Sequence, residues 1–313
     1  MSSPLSRTAV QSVYARETPE GVGATVRRSI GSSALRNLSP FLMLDHATIK
    51  PGSGFPDHPH RGQTTVTYVL GGLNTGDVQW MTAGRGIMHS EMPLFDLDPA
   101  KAVDAVGLQL WVDLPLDQKF IEPSYQEKKA NDITTIHPEP GVEITIISGE
   151  SHGATVSALG APSSLIPPTH SLQGFVRPVG GCWYLDFKLS SPGATVFQPL
   201  PAGWTALAYI ITGTLAIGSS SSHYTQFHTV VLSSNPAESG VTFTKPLDSP
   251  AGEITRFVLI AGEPLDQPVV QYGPFVVNTE RQAREAIMDF RTGKNGFERA
   301  VGWESEIGKA RLV

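Results

Sequence analysis

Short runs in which apolar and polar residues alternate dominate the chain. In TTVTYVL (64–70), Val66, Tyr68 and Leu70 fall on one face. In GLQLWVDL (107–114) the same face holds Leu108, Leu110, Val112 and Leu114, and in VEITII (142–147) it holds Val142, Ile144 and Ile146. The runs 182–189, 204–213, 228–233, 241–245 and 254–262 follow the same rule. A period of two is what a half-buried antiparallel strand requires. Turns rich in Gly, Pro, Ser and Asn separate the runs, so the pattern predicts an all-β chain of sandwiches or barrels. One segment changes period. Thr279 followed three residues later by Gln282 reads as a capping box, Ala283, Ile287 and Phe290 recur at helical spacing, and Gly293 reads as a stop. This predicts a C-terminal helix docked on a sheet.

Strand runs fall into a group ending near 114 and a group from 142 to 262, with HPEPG (137–141) as the candidate boundary. The expected division is an N-terminal domain over 1–136 and a C-terminal domain over 142–313. SALGAPSSLIPPTHSLQGF (157–175) has little charge and no strand or helix period, and reads as a surface loop or disordered insert.

Composition narrows the function classes. The chain has 313 residues, 31 Gly, 25 Pro and a formal net charge of −6, and the glycine and proline content suits many turns. Without a Lys/Arg cluster, direct binding to nucleic acid is not expected. The one cysteine, Cys182, allows no internal disulfide and lies in an apolar strand, where a buried structural thiol is expected. The N-terminus carries no apolar signal core and no run is long enough to span a bilayer. An intracellular chain with no membrane partner, acting as a monomer, is the expectation.

Candidate chemistry sits in two short stretches. In FPDHPHRG (55–62), His58 and His60 are two apart, and on an extended chain such residues point the same way. Pro59 between them favours extended geometry. In GDVQWMTAGRGIMHSEMP (76–93), His89 and Glu91 form a second such pair. Alone, either pair also reads as polar residues in a turn. Facing one cavity, they supply three imidazoles and a carboxylate, a set that suits a divalent transition metal with open positions. Four protein ligands carrying one negative charge leave a divalent ion at a net positive charge, which favours an ionised enolate or phenolate.

Other residues read as structural. His46 and His152 are single histidines near strands. His223 and His228 lack a carboxylate partner. Ser90 faces away from His89 on a strand. Trp80, Trp111, Trp183 and Trp204 read as core.

FPDHPHRG, GDVQWMTAGRGIMHSEMP, GLQLWVDLP, SYQE, SGESHG and QYGPFVVNT together resemble the pirin family of the cupin superfamily, from about GVGATVRRSIG (21–31) to the C-terminal helix. The resemblance implies a bicupin of two β-barrels (double-stranded β-helices) with metal in the N-terminal barrel only. It implies metal ligands His58, His60, His89 and Glu91, usually with Fe(II), although the donor set also accepts other divalent transition metals. It further implies a quercetin 2,3-dioxygenase-type oxidoreductase acting on flavonols, with Glu91 as catalytic proton acceptor. Eukaryotic members also imply a nuclear or cytoplasmic role as a cofactor for a transcription-factor partner. Two departures from the family pattern stand out: the insert at 157–175, and a connection at 71–76 shorter than the family's by about one hairpin. The short connection predicts a thinner wall for the metal-bearing barrel, exposed strand edges and a metal-site register that is no longer guaranteed, so an inactive product of a shortened barrel is a further alternative reading.

Overall fold

The computed structural model describes residues 5–21, 23–98, 100–155 and 181–307. The insert expected at 157–175 lies outside the described residues. The β architecture follows the predicted alternation, and every strand pairing within the sheets is antiparallel.

The chain divides into two compact units, and neither is continuous in sequence. One comprises 16–130 with 265–313, and the other 1–15 with 131–264. The division near 130 lies close to the expected boundary, but both termini change sides relative to a 1–136/142–313 split. The reason is strand pairing. Ala9–Tyr14 pairs with His228–Leu232, and the hairpin at 270–277 bridges back to Arg61 through Phe275.

In the unit built on 131–264, a seven-stranded sheet and a four-stranded sheet carry a dense apolar core that includes Ile144, Phe187, Ile210, Phe243 and Phe257. Cys182 lies on Cys182–Leu189, 1% exposed, and burial pushes its thiol up to about 12, as expected of an inert thiol.

The unit built on 16–130 and 265–313 holds the candidate chemistry. Its strands are β1 (Glu17–Pro19), β2 (Ala24–Arg28), β3 (Phe41–Ile49), β4 (Phe55–His60), β5 (Gln63–Gly71), β6 (Val78–Thr82), β7 (Ile87–Glu91), β8 (Ala105–Asp113), β9 (Ser124–Lys128), β10 (Val270–Tyr272) and β11 (Phe275–Val277). Seven of them form one sheet in the order β9-β6-β5-β8-β3-β2-β1, and β4 and β7 form a separate two-stranded ribbon. The period-two reading holds here. Val66, Tyr68, Leu108, Leu110 and Val112 are buried on one face, while the alternate positions Thr67, Val69, Gln109 and Trp111 line a cavity.

The helix α1 (Glu280–Thr292) has the predicted capping box between Thr279 and Gln282, and Gly293 ends it in the left-handed conformation. Its Ala286, Ile287 and Phe290 pack with Phe275 and Phe297.

The short 71–76 connection forms a tight hairpin and keeps the strand register, which the shortening had put in doubt. Gly76 N–H bonds Val69 O at 2.8 Å, and Asp77 N–H bonds Asn74 O at 3.0 Å. The register of β5 with β6 runs unbroken from Thr64↔Thr82 to Tyr68↔Val78. The outer edge of β6 is paired with β9, with Tyr125 opposite Met81, and β9 is the end strand of the sheet.

Candidate metal centre

Both arms of the predicted site lie on the β4–β7 ribbon, where His58 sits directly opposite His89 and His60 opposite Ile87. A register shift between Phe55 and His58 places Phe55 opposite Glu91. The ribbon is fixed at one end by two close approaches. Gly62 has φ +81°, and a Cβ there would lie 1.9 Å from Val276 O. Gly84 has φ +49°, and a Cβ would lie 2.1 Å from Ile121 O. Gly62 N–H donates to Gly84 O at 2.8 Å, tying the two arms together. Only glycine satisfies both the left-handed backbone and the contact.

One nitrogen from each of His58, His60 and His89 lies within 4.8 Å of the others, and among the described residues this is the one such cluster of three or more metal-ligating side chains. The outward-facing nitrogens are fixed by neighbours. His58 Nδ1 is 2.7 Å from Pro56 O. A carbonyl only accepts, so that nitrogen carries the proton and Nε2 presents a lone pair. Gln63, fully buried, turns its side-chain carbonyl to His60 Nδ1 at 2.9 Å, and its amide nitrogen donates to Arg61 O at 2.9 Å and Pro274 O at 3.2 Å. His60 Nε2 is left buried with no hydrogen-bond partner.

His58 Nε2 and His89 Nε2 are 3.0 Å apart. One shared proton, or one ion bound by both, satisfies that pair. Two nitrogens held about 2.1 Å from one ion at a right angle stand roughly 3 Å apart, so the spacing fits a shared metal. The orphaned His60 Nε2 supplies a third donor. Burial first, with charge on the neighbouring imidazoles, holds His60 well below its ordinary pKa. Burial likewise lowers His89 to about 4, against the opposing pull of Glu91. Neutral imidazole is the ligating form.

Glu91 stands at the edge of the triad. Its Oε2 is 4.0 Å from His89 Nε2. Gln109 Nε2 donates to both carboxylate oxygens at 3.1 Å, and Thr67 Oγ1 donates to Oε1 at 2.7 Å. Sequence reasoning missed Gln63, Thr67 and Gln109. Their signal was available: they are the polar positions alternating with the apolar stripes on β5 and β8.

Trp111, expected in the core, lines the cavity, with its ring edge-on to His60 at 5.1 Å between centroids. Trp80 is buried as predicted. Trp183 and Trp204 are partly buried against the core of the other unit. His228 Nδ1 meets Thr225 O at 3.0 Å and His152 Nδ1 meets Ser151 Oγ at 2.9 Å, both within the unit built on 131–264. His46 lies on β3, opposite Leu108.

His58, His60 and Glu91 border a cavity of about 760 Å³, whose apolar walls include Val26, Ile49, Phe55 and Met92. Such a volume lies in the range of about 300–1,000 Å³ that encloses small-molecule ligands. On one side, Tyr125 donates to Glu127 at 2.8 Å, and burial first, then that carboxylate, raises its pKa.

Antiparallel sheets with a ribbon whose three histidines could hold a metal define a cupin, and the chain carries two cupin domains. The pirin family model matches residues 23–112, and the model for the pirin C-terminal cupin domain matches 184–296. Pirin of Homo sapiens is 44% identical over 322 residues, covering 97% of this chain and 99% of that protein. A pirin-like protein of Solanum lycopersicum is also 44% identical, covering 98% and 99%. A crystal structure of quercetin 2,3-dioxygenase from Acinetobacter baumannii superposes with a TM-score of 0.74 at 29% identity, covering 93% of this chain and 99% of that one. The chain belongs to the pirin family. Among the described residues, no helix is long and apolar enough to cross a membrane.

Proposed function

We propose that the protein is a metal-dependent cupin dioxygenase that opens the ring of a flavonol such as quercetin, with His58, His60 and His89 as metal ligands and Glu91 as ligand or proton acceptor. The carrying observation is the cluster of three imidazole nitrogens, two of whose members, His58 and His60, line one cavity together with the neighbouring Glu91. A divalent ion bound there, Fe(II) on the family resemblance, supplies Lewis-acid polarisation and the means to use dioxygen.

The chain supplies the rest. Glu91, held by Thr67 and Gln109, keeps its Oε2 facing the triad, 4.0 Å from His89 Nε2. There it accepts the proton of a substrate hydroxyl presented to the site. Trp111 and the apolar walls bind a flat ring system and exclude water. The quercetin 2,3-dioxygenase from Acinetobacter baumannii supports this substrate class through a fold shared over most of both chains.

The test is aerobic incubation of iron-loaded protein with quercetin, followed at the flavonol absorption band. Metal-dependent loss of the band is expected, abolished by His60→Ala and slowed by Glu91→Gln. Stoichiometric iron without bleaching refutes turnover and favours a metal-dependent regulatory protein instead.

A further inference from the structure

His58 and His60 each have a sequence neighbour held by the stretch 289–305, and the strand bearing His89 starts against the same stretch. His58 follows Asp57, whose Oδ2 accepts from Ser305 N–H at 3.0 Å. The Ser305 side chain first, and that backbone bond second, hold the Asp57 carboxyl below its ordinary range. His60 precedes Arg61, which is 3% exposed. The Arg61 guanidinium donates to Asp289 Oδ2 at 2.8 Å, to Asn295 O at 2.7 Å and to Arg85 O at 2.6 Å, and lies 4.7 Å over the Phe297 ring. The strand bearing His89 is launched from Gly86, against which Phe297 packs so closely that a Cβ would meet its ring at 2.9 Å. All of these residues belong to one compact unit.

We propose that residues 289–305 form a clasp that sets the spacing of the three histidines, with Arg61 as its pivot, and that retention of the metal depends on the clasp being closed. The inference rests on the metal reading of the triad. Arg61 fits the role because its planar fork donates in several fixed directions at once. Through Arg85 O it joins the strand after His60 to the turn before His89, and through Asp289 and Asn295 it joins both to the helix end. Asp57 gives the clasp a second anchor at the other end of the β4 histidine pair. These are positioning residues; none of them touches the metal position.

The test is Ni(II) release from the full-length protein into excess chromophoric chelator, together with the thermal midpoint of each apoprotein. Asp289→Ala removes one anchor, a side chain 15% exposed and paired with Arg61, and Asp57→Ala removes the other. Each is expected to release Ni(II) about tenfold faster, the scale on which outer partners of metal ligands act, and the double variant faster than either. Arg61→Lys keeps the charge, loses the fork and is expected to behave like Asp289→Ala. Arg281→Ala breaks an exposed ion pair with Glu285 on the same helix, away from the ribbon, and is expected to release Ni(II) at the wild-type rate.

Release within twofold of wild type in folded Asp289→Ala and Asp57→Ala proteins overturns the clasp. So does an equal acceleration in Arg281→Ala, which would make the effect one of general helix stability. A wild-type protein that binds no Ni(II) overturns the metal reading itself, and is distinguished from failure of the clasp by that first measurement.

Discussion

Replacing Gln63 by leucine isolates one hydrogen bond at the centre of the site. Gln63 is fully buried, and its carbonyl is the acceptor for His60 Nδ1–H at 2.9 Å. Leucine has a similar volume, so the perturbation is chemical rather than steric. Two losses follow. The buried Nδ1–H is left without an acceptor, which costs about 1–3 kcal/mol. The imidazole also loses the partner that fixes its tautomer with Nε2 free, and loss of such a partner lowers metal affinity about 10–100-fold. A Gln63→Glu change does not rescue, although a carboxylate accepts well. The second oxygen would face Arg61 O and Pro274 O, two carbonyls that now receive hydrogen bonds from the amide. Competition titration of Ni(II) against a chromophoric chelator at neutral pH measures the effect. Affinity is expected to fall at least tenfold in Gln63→Leu, with the fold retained. A Gln63→Leu protein that binds within twofold of wild type would refute the reasoning that Gln63 sets the ligating nitrogen of His60.

Three further outcomes follow from the same geometry. Lys119 is fully buried, pairs with Asp113 and donates to Gly62 O at 3.0 Å; Lys119→Met strands the carboxylate and is expected to cost about 3–5 kcal/mol, lowering the calorimetric midpoint by about 10 °C at the usual scaling, while Lys119→Met with Asp113→Leu recovers more than half of the loss. Gly62→Ala forces a methyl into Val276 O, so soluble folded protein is not expected, as circular dichroism of the expressed variant will show. Acid weakens the apoprotein in a defined window. His89 has its folded pKa lowered from an ordinary 6.5 to about 4, so the unfolded chain takes up its proton first as pH falls. The contribution is intact above about pH 6.5 and lost between there and pH 4, about 3 kcal/mol for this residue; buried His60 shifts in the same direction. Denaturant titrations across that range measure it, and a flat stability between pH 7 and pH 4 contradicts the assignment.

The strands and the helix were legible because each obeys a local rule. Val66 and Tyr68, or Leu108, Leu110 and Val112, reveal a strand through burial of one face, and Thr279 with Gln282 reveals a helix start through two reciprocal hydrogen bonds. The triad was legible for a related reason, since two i, i+2 pairs on extended chain can meet only if their strands pair, and His58 does lie opposite His89. Legibility failed where a residue's role depends on a partner distant in sequence. Trp111 sits among core residues on β8, and only the pairing of that strand places its ring beside His60. The membership of 265–313 in the site-bearing unit rests on Arg61, Lys119 and Gln267, whose partners lie at separations that no periodicity encodes.

The shortened connection at 71–76 shows how such long-range pairing decides the site. By local reasoning, losing a hairpin between β5 and β6 uncovers an edge and loosens the register of everything beyond it. The register instead holds from both sides. β6 is gripped by β5 over Thr64 to Tyr68 and by β9 over Ser124 to Lys128, so the turn between β5 and β6 carries little of the constraint. Asp77 at the turn is pinned by Lys129 at 2.8 Å and by Ala130 N–H at 2.9 Å, both just beyond β9. The ribbon that holds the histidines depends instead on Gly62 and Gly84 at its other end, where the Gly62 N–H to Gly84 O bond joins the two arms. A change in the β5–β6 loop therefore alters the cavity wall at Leu73, Asn74 and Asp77 while leaving the triad in place, so the shape of the cavity can vary there without disturbing the three histidines.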